Sequence, residues 1–240
     1  MIEITLPDGA KMQFDSPVSG LQVAEKISAN LAKAALAVKL GETLTDLTTP
    51  ITKDTTLSII TTKSPEALTI LRHTTAHILA QAVKKLYPKA LVTIGPAVEN
   101  GFYYDFFGII LKEDDLPKIE AEMTKIIEAD LPITRSTVSR AEAIKLFSDK
   151  GEKYKVELIN DLPQDVHEVS LYTQGDYVEL CRGPHLSSTG KVGHAFKLTK
   201  VAAAYWRGDA TKESLQRVYG TAFFSDKDLK AYFTLLEEAE

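Results

Sequence analysis

The chain has 240 residues, 44% of them hydrophobic and 25% charged, with a net charge of −5. That length exceeds one average domain and can bury a sizeable core. No apolar run reaches the roughly 18 residues of a membrane span. The acidic balance also argues against a surface coated for nucleic acid, and the N-terminus lacks the basic-then-apolar pattern of a secretory signal.

Along the chain, residues 2–6 and 11–14 alternate apolar and polar residues around the turn Pro7-Asp8-Gly9, a hairpin signal. A helix is expected over 20–30, with strands over 34–40 and 56–61. This order suggests a small β-grasp unit without His or Cys. Its polar, threonine-rich character suggests an interaction module.

From Ser64 the pattern changes. Ser64-Pro65-Glu66 is a good helix start and Pro88 a stop, which gives a helix of about six turns. Leu68, Leu71, Ile78, Leu79, Ala82 and Leu86 form one apolar stripe. His73 and His77 point away from that stripe, together with Lys84, so the spacing reads as either a solvent-exposed pair or a site. A glycine-punctuated β segment carrying Gly95, Gly101, Tyr103 and Tyr104 follows. Next come an acidic helix near 113–129, a strand near 131–138 and a helix near 139–148. Most of 151–224 reads as strands, including YKVELI around Lys155, and a last helix begins at Ser225. Strand runs beside segregated helices indicate an α+β fold with a mainly antiparallel sheet.

A second pair, Cys181-x3-His185, complements His73-x3-His77. The single cysteine excludes an intrachain disulfide, fits a reducing cytoplasm, and leaves Cys181 free as ligand, nucleophile or packing residue. Three imidazoles and a thiol make a legitimate tetrahedral zinc set. They can equally hold a water and a polar substrate without metal. Between 182 and 217, seven basic residues, Arg182 and Arg207 among them, face two acidic ones. Such a local positive region can receive phosphates.

The segments RHTTAHILAQAVKKLYP, IGPAVENGFYYDF, YVELCRGPHL, FKLTKVAAAYWRGD and LQRVYGTAFF together resemble the N-terminal half of bacterial threonyl-tRNA synthetases, in order and over essentially the whole chain. The resemblance implies a TGS domain over 1–62, an editing domain over 63–224 and the start of a linker helix over 225–240. The ATP-dependent catalytic domain, through which the full-length enzyme would form a homodimer, is expected to lie outside the chain, which should therefore not form threonyl-adenylate. The implied chemistry is hydrolysis of seryl-tRNA(Thr). An activating site rejects a substrate one methyl group smaller by only about 1–3 kcal/mol, and a second sieve corrects the error.

The resemblance also implies roles. His73, His77, Cys181 and His185 form the pocket, with His73 touching the terminal ribose and helping to order water. Lys155 orients or activates the attacking water. Glu179 binds the seryl ammonium or hydroxyl, although the family usually has the shorter Asp there. Tyr103 or Tyr104 stacks on the terminal adenine, with Gly95 allowing close approach and Arg182 and Arg207 contacting tRNA. Trp206 is expected to be a packing residue, and His167 and His194 match no role. Metal-free hydrolysis is the implied mechanism, with zinc on His73, His77, Cys181 and His185 as its alternative. A freestanding trans-editing deacylase and a non-catalytic tRNA-binding module are the competing functions.

Overall fold

The computed structural model describes residues 1–239, which form two compact units. The smaller comprises Met1–Ile70 and Gly183–Ser187; the larger comprises Leu71–Arg182 and Ser188 onward.

In the smaller unit the order is β1 (Ile2–Thr5), β2 (Lys11–Phe14), β3 (Val18–Ser19), α1 (Gly20–Ile27), α2 (Ala29–Ala34), β4 (Ala37–Leu40), β5 (Thr43–Asp46), β6 (Pro50–Ile51) and β7 (Thr55–Ile60). The main sheet runs β2-β1-β7-β4-β5, and only the β1–β7 pair is parallel. The hairpin forms where Pro7-Asp8-Gly9 predicts it: Gly9 takes φ +88°, and Asp8 Oδ1 accepts the Ala10 N–H at 2.9 Å. Helix α1 starts in a capping box, with Gln22 N–H donating to Ser19 Oγ and Ser19 N–H donating to Gln22 Oε1. Its buried face, Val23 and Ala24, joins Ile2, Ile4, Val38, Leu47 and Leu57 in one apolar core. The helix expected over 20–30 is two helices, because Ser28 is extended, closes α1, and caps α2 through its side chain.

The larger unit follows with α3 (Ala67–Leu86), whose first turn lies in the smaller unit. Then come β8 (Leu91–Val92), β9 (Ala97–Val98), β10 (Gly101–Phe107), α4 (Leu116–Glu128), β11 (Thr134–Ser139), α5 (Arg140–Asp149), α6 (Lys153–Asn160), β12 (Glu168–Gln174), β13 (Tyr177–Leu180), β14 (Phe196–Tyr205), β15 (Ser214–Ala222) and α7 (Asp226–Ala239). One antiparallel sheet runs β14-β15-β10-β8, with β9 also on β10, and a second runs β11-β12-β13. The fold is therefore α+β with mostly antiparallel sheets. Among the described residues no helix is long and apolar enough to cross a membrane.

Two features overturn sequence expectations. Helix α3 does not bury one stripe: from Ile70 to Val83 every residue but His73 is buried. Its polar side chains have partners inside the unit. Arg72 Nε donates to the Ala222 carbonyl at 3.1 Å, Thr75 Oγ1 to the Leu71 carbonyl at 2.7 Å, and Gln174 Nε2 to Gln81 Oε1 at 2.7 Å. The exposed reading of the histidine pair thus fails. Second, YKVELI is helix α6, not strand. An apolar run this short fits either period, and here the buried residues Tyr154, Lys155 and Ile159 mark a helical face.

Candidate functional site

Three elements of the larger unit converge on one cavity of about 320 Å³, lined by His73 and His77 of α3, Lys155 of α6, Glu179 and Cys181 at the end of β13, and the loop Ile94-Gly95-Pro96. Each side chain arrives there for a local reason. His73 and His77, four residues apart, stack on one helix face, and their rings lie edge-on with centroids 4.8 Å apart. Alternation along β13 sends Tyr177 and Glu179 to the buried face, while Val178 and Leu180 pack into the apolar cluster around Phe147 and Leu171.

Glu179 and Lys155 are both only 2% exposed. Burying a lone charge is costly, and these two offset each other by pairing directly through Lys155 Nζ and Glu179 Oε1. Lys155 Nζ also donates to the Thr93 carbonyl at 2.6 Å, so two of its three N–H groups are engaged. Glu179 Oε1 accepts the Leu180 N–H at 3.1 Å, and Oε2 accepts the hydroxyls of Tyr104 at 2.8 Å and Tyr177 at 2.7 Å. Burial and the Glu179 charge hold both phenols well above their usual range, so they stay protonated donors.

The imidazoles sit near this ion pair, with His77 Nε2 3.9 Å from Glu179 Oε2. Burial lowers the pKa of His73, an effect that Glu179 opposes and Lys155 reinforces. His77, 3% exposed, lies well below the ordinary value, from burial first and then from His73 and Lys155. Both rings are therefore neutral at neutral pH, each with one donor and one acceptor nitrogen. Cys181 Sγ lies 3.5 Å from His73 Nε2.

His73, His77 and Cys181 offer ligand atoms within 4.8 Å of one another. The 3.5 Å sulfur–nitrogen separation suits a zinc tetrahedron with bonds of about 2.3 and 2.0 Å. The donor set fits zinc, whereas the Lys155 ammonium beside both rings opposes a second cation. His185, the remaining member of the proposed set, belongs to the smaller unit, where its backbone N–H donates to Asp46 Oδ1 at 2.8 Å.

Other predicted residues are placed differently. Tyr104 is fully buried, stacked on Phe106, and has no open face for a base. Gly95 is small because that ring covers it: a Cβ there would lie 2.0 Å from Tyr104 Cδ2. Gly101 is likewise a packing glycine, facing the Gly220 carbonyl. Tyr103 alternates to the other face, where the Arg217 guanidinium lies 3.9 Å from its ring centre. Arg207 pairs with Asp161 and lies over Trp206, which is itself buried against Tyr154 and Leu215 as a packing residue. Arg182 is exposed on a neighbouring groove of about 550 Å³, lined also by Arg135, Leu162, Val169 and Ser170. That groove shares Leu158, Leu180 and Cys181 with the histidine cavity. His194 is exposed, 3.9 Å from Glu128.

Sequence reasoning passed over Tyr177 and Thr93. The alternation in DYVEL puts Tyr177 on the face of Glu179 and could have found the first; no pattern marks the Thr93 carbonyl.

Comparison with known proteins places these elements in context. Residues 2–61 match the TGS domain, and residues 169–219 match the threonyl and alanyl tRNA synthetase second additional domain. The chain is 56% identical over its whole length to a threonine–tRNA ligase of Paramagnetospirillum magneticum. It is 54% identical over 99% of its length to the threonine–tRNA ligase of Hahella chejuensis, and 54% identical over its whole length to that of Coxiella burnetii. It spans 38%, 37% and 37% of those three relatives.

Proposed function

We propose, for a chain that carries TGS and second additional domains and corresponds over its whole length to the N-terminal part of threonine–tRNA ligases, that the larger unit proofreads tRNA(Thr) by hydrolysing its seryl ester. The observation that carries this reading is the small cavity where two neutral imidazoles face a buried ammonium. In this reading 1–62 is the TGS domain, 63–224 the editing domain and 225–240 the start of a linker helix. The partner is the acceptor end of tRNA(Thr).

The chemistry needs a positioned water, a proton acceptor and a donor for the tetrahedral oxyanion. A neutral His73 orders the water and takes its proton as oxygen attacks the ester carbonyl. The remaining N–H of Lys155 stabilises the negative charge that develops on the carbonyl oxygen. Collapse breaks the bond to the ribose oxygen, which recovers the proton, and releases serine and uncharged tRNA. His77 supports His73 from one turn further along α3.

A cavity of about 320 Å³ has room for either aminoacyl group, so the second sieve acts through how the cavity walls hold the reacting ester against the extra methyl of threonine. The adjoining groove, apolar in its floor and carrying Arg135 and Arg182, suits the terminal nucleotide, with a base on Leu162 and Val169 and a phosphate on the guanidinium groups. This role passes from Tyr103 and Tyr104 to the groove because neither tyrosine presents a free ring.

Zinc held by His73, His77 and Cys181 would supply a Lewis acid and an activated water. Lys155 favours the metal-free course. The test is deacylation of seryl- and threonyl-tRNA(Thr) by this chain under single-turnover conditions. Loss of serine with retention of threonine is expected. Hydrolysis of neither, by a folded protein that still binds tRNA, leaves a non-catalytic binding module.

A further inference from the structure

Sequence reading assigns Glu179 to the substrate, but the geometry gives its carboxylate no room for one. An ionised carboxylate offers about four lone-pair sites. Glu179 fills two on Oε2 with the Tyr104 and Tyr177 hydroxyls and two on Oε1 with Lys155 and the Leu180 N–H. All three side chains that donate to it are buried.

Resting on the editing reading, we infer that Tyr177 is a positioning residue of the hydrolytic site, acting through Glu179 on Lys155. Two hydroxyls on Oε2 fix the rotation of the carboxylate about its terminal bond and thereby aim Oε1 at the ammonium. The imidazoles and the Thr93 carbonyl then meet an ammonium held in one place. Without the Tyr177 donor, Oε2 keeps a single neutral partner and the carboxylate is free to turn toward His77, whose Nε2 is 3.9 Å away. Lys155 then loses its aim. Tyr104 cannot substitute, because its ring is locked between Phe106 and the Gly95 backbone. The Glu179 side chain is long enough for one carboxylate to reach two phenols and the lysine together. Glu179 is thus a positioning residue too, and seryl discrimination falls to the walls of the cavity.

The experiment is a double-mutant cycle on Tyr177→Phe and Glu179→Gln, read by single-turnover deacylation of seryl-tRNA(Thr), with thermal unfolding as the check on folding. Tyr177→Phe is expected to lower the maximal rate about tenfold, less than the roughly 10²–10³-fold for direct loss of an aimed donor, because Tyr177 acts through Glu179. The concentration of tRNA giving half the maximal rate should change less than twofold. In the Glu179→Gln background the same substitution should change the rate less than twofold, since the group it acts through is gone. Additive losses, or a Tyr177→Phe rate equal to the parent's, overturn the inference. A second measurement separates it from the editing reading: the Lys155 Nζ resonance of the full chain should shift in Tyr177→Phe. If the parent hydrolyses no ester, the editing reading fails, and a shifted resonance still upholds the positioning of Lys155. An unshifted resonance overturns it.

Discussion

The two units of this molecule solve the problem of a stable interior in opposite ways. Among the described residues of 1–70, Asp46 is the one buried charged side chain, and the core around Ile4, Val23 and Leu57 is wholly apolar. The larger unit buries Arg72, Asp105, Glu122, Glu152, Lys155 and Glu179, each with an oppositely charged or hydrogen-bonding partner. Apolar packing is the less costly way to stabilise a fold, and buried ion pairs often add nothing over well-packed hydrophobic residues. Of the buried charges in the larger unit, only Lys155 and Glu179 line the histidine cavity, and that buried pair is the one that points to chemistry.

The most severe way to break this contrast is to remove one partner of the central pair. Lys155→Met leaves Glu179 buried without its counter-charge, and stability of the larger unit should fall by about 3–5 kcal/mol in urea unfolding. Adding Glu179→Gln should restore part of that loss but none of the deacylation activity. In the apolar unit, Ile4→Ala should cost about 2–5 kcal/mol, measured in the same way. Seryl-tRNA(Thr) hydrolysis at 25 °C should stay within twofold of the parent. A large loss of activity there would erase the division of labour.

A gentler probe is pH. His77 is neutral in the fold because burial lowers its pKa well below 6.5, so the unfolded chain binds the extra proton first. The stability this group contributes is complete above about pH 6.5 and is lost as pH falls toward the folded-state value. The slope approaches about 1.4 kcal/mol per pH unit. Thermal unfolding between pH 7.5 and 5 should show this fall, and His77→Gln should flatten it.

The same contrast explains what was legible in the sequence. Alternation and turn chemistry suffice in an apolar core, so the hairpin at Pro7-Asp8-Gly9, β4 and β7 lie close to where pattern puts them. The short strands β3, β5 and β6 carry too few residues to show a period. In the larger unit polar residues occupy core positions, and pattern reading misjudges them. The His73 and His77 face of α3 reads as open to solvent because the groups it meets, Cys181 and Glu179, lie about a hundred positions further along the chain. Lys155 reads as an exposed strand residue because nothing local reveals Glu179 across 24 positions. The resemblance to known sequences supplied the names of the residues that meet in the cavity. Tyr177 and the full engagement of Glu179 emerge only in the fold.

The central claim is that the buried ion pair and the neutral imidazoles beside it hydrolyse the ester without a metal. The most direct measurement is seryl-tRNA(Thr) deacylation by the parent chain and by Lys155→Met, each after exhaustive chelation and exchange into metal-free buffer. The account predicts an unchanged parent rate and a loss of at least about 100-fold in the variant, the range for removing an aimed oxyanion donor. A parent rate abolished by chelation and restored by zinc, with Lys155→Met still active, would contradict it.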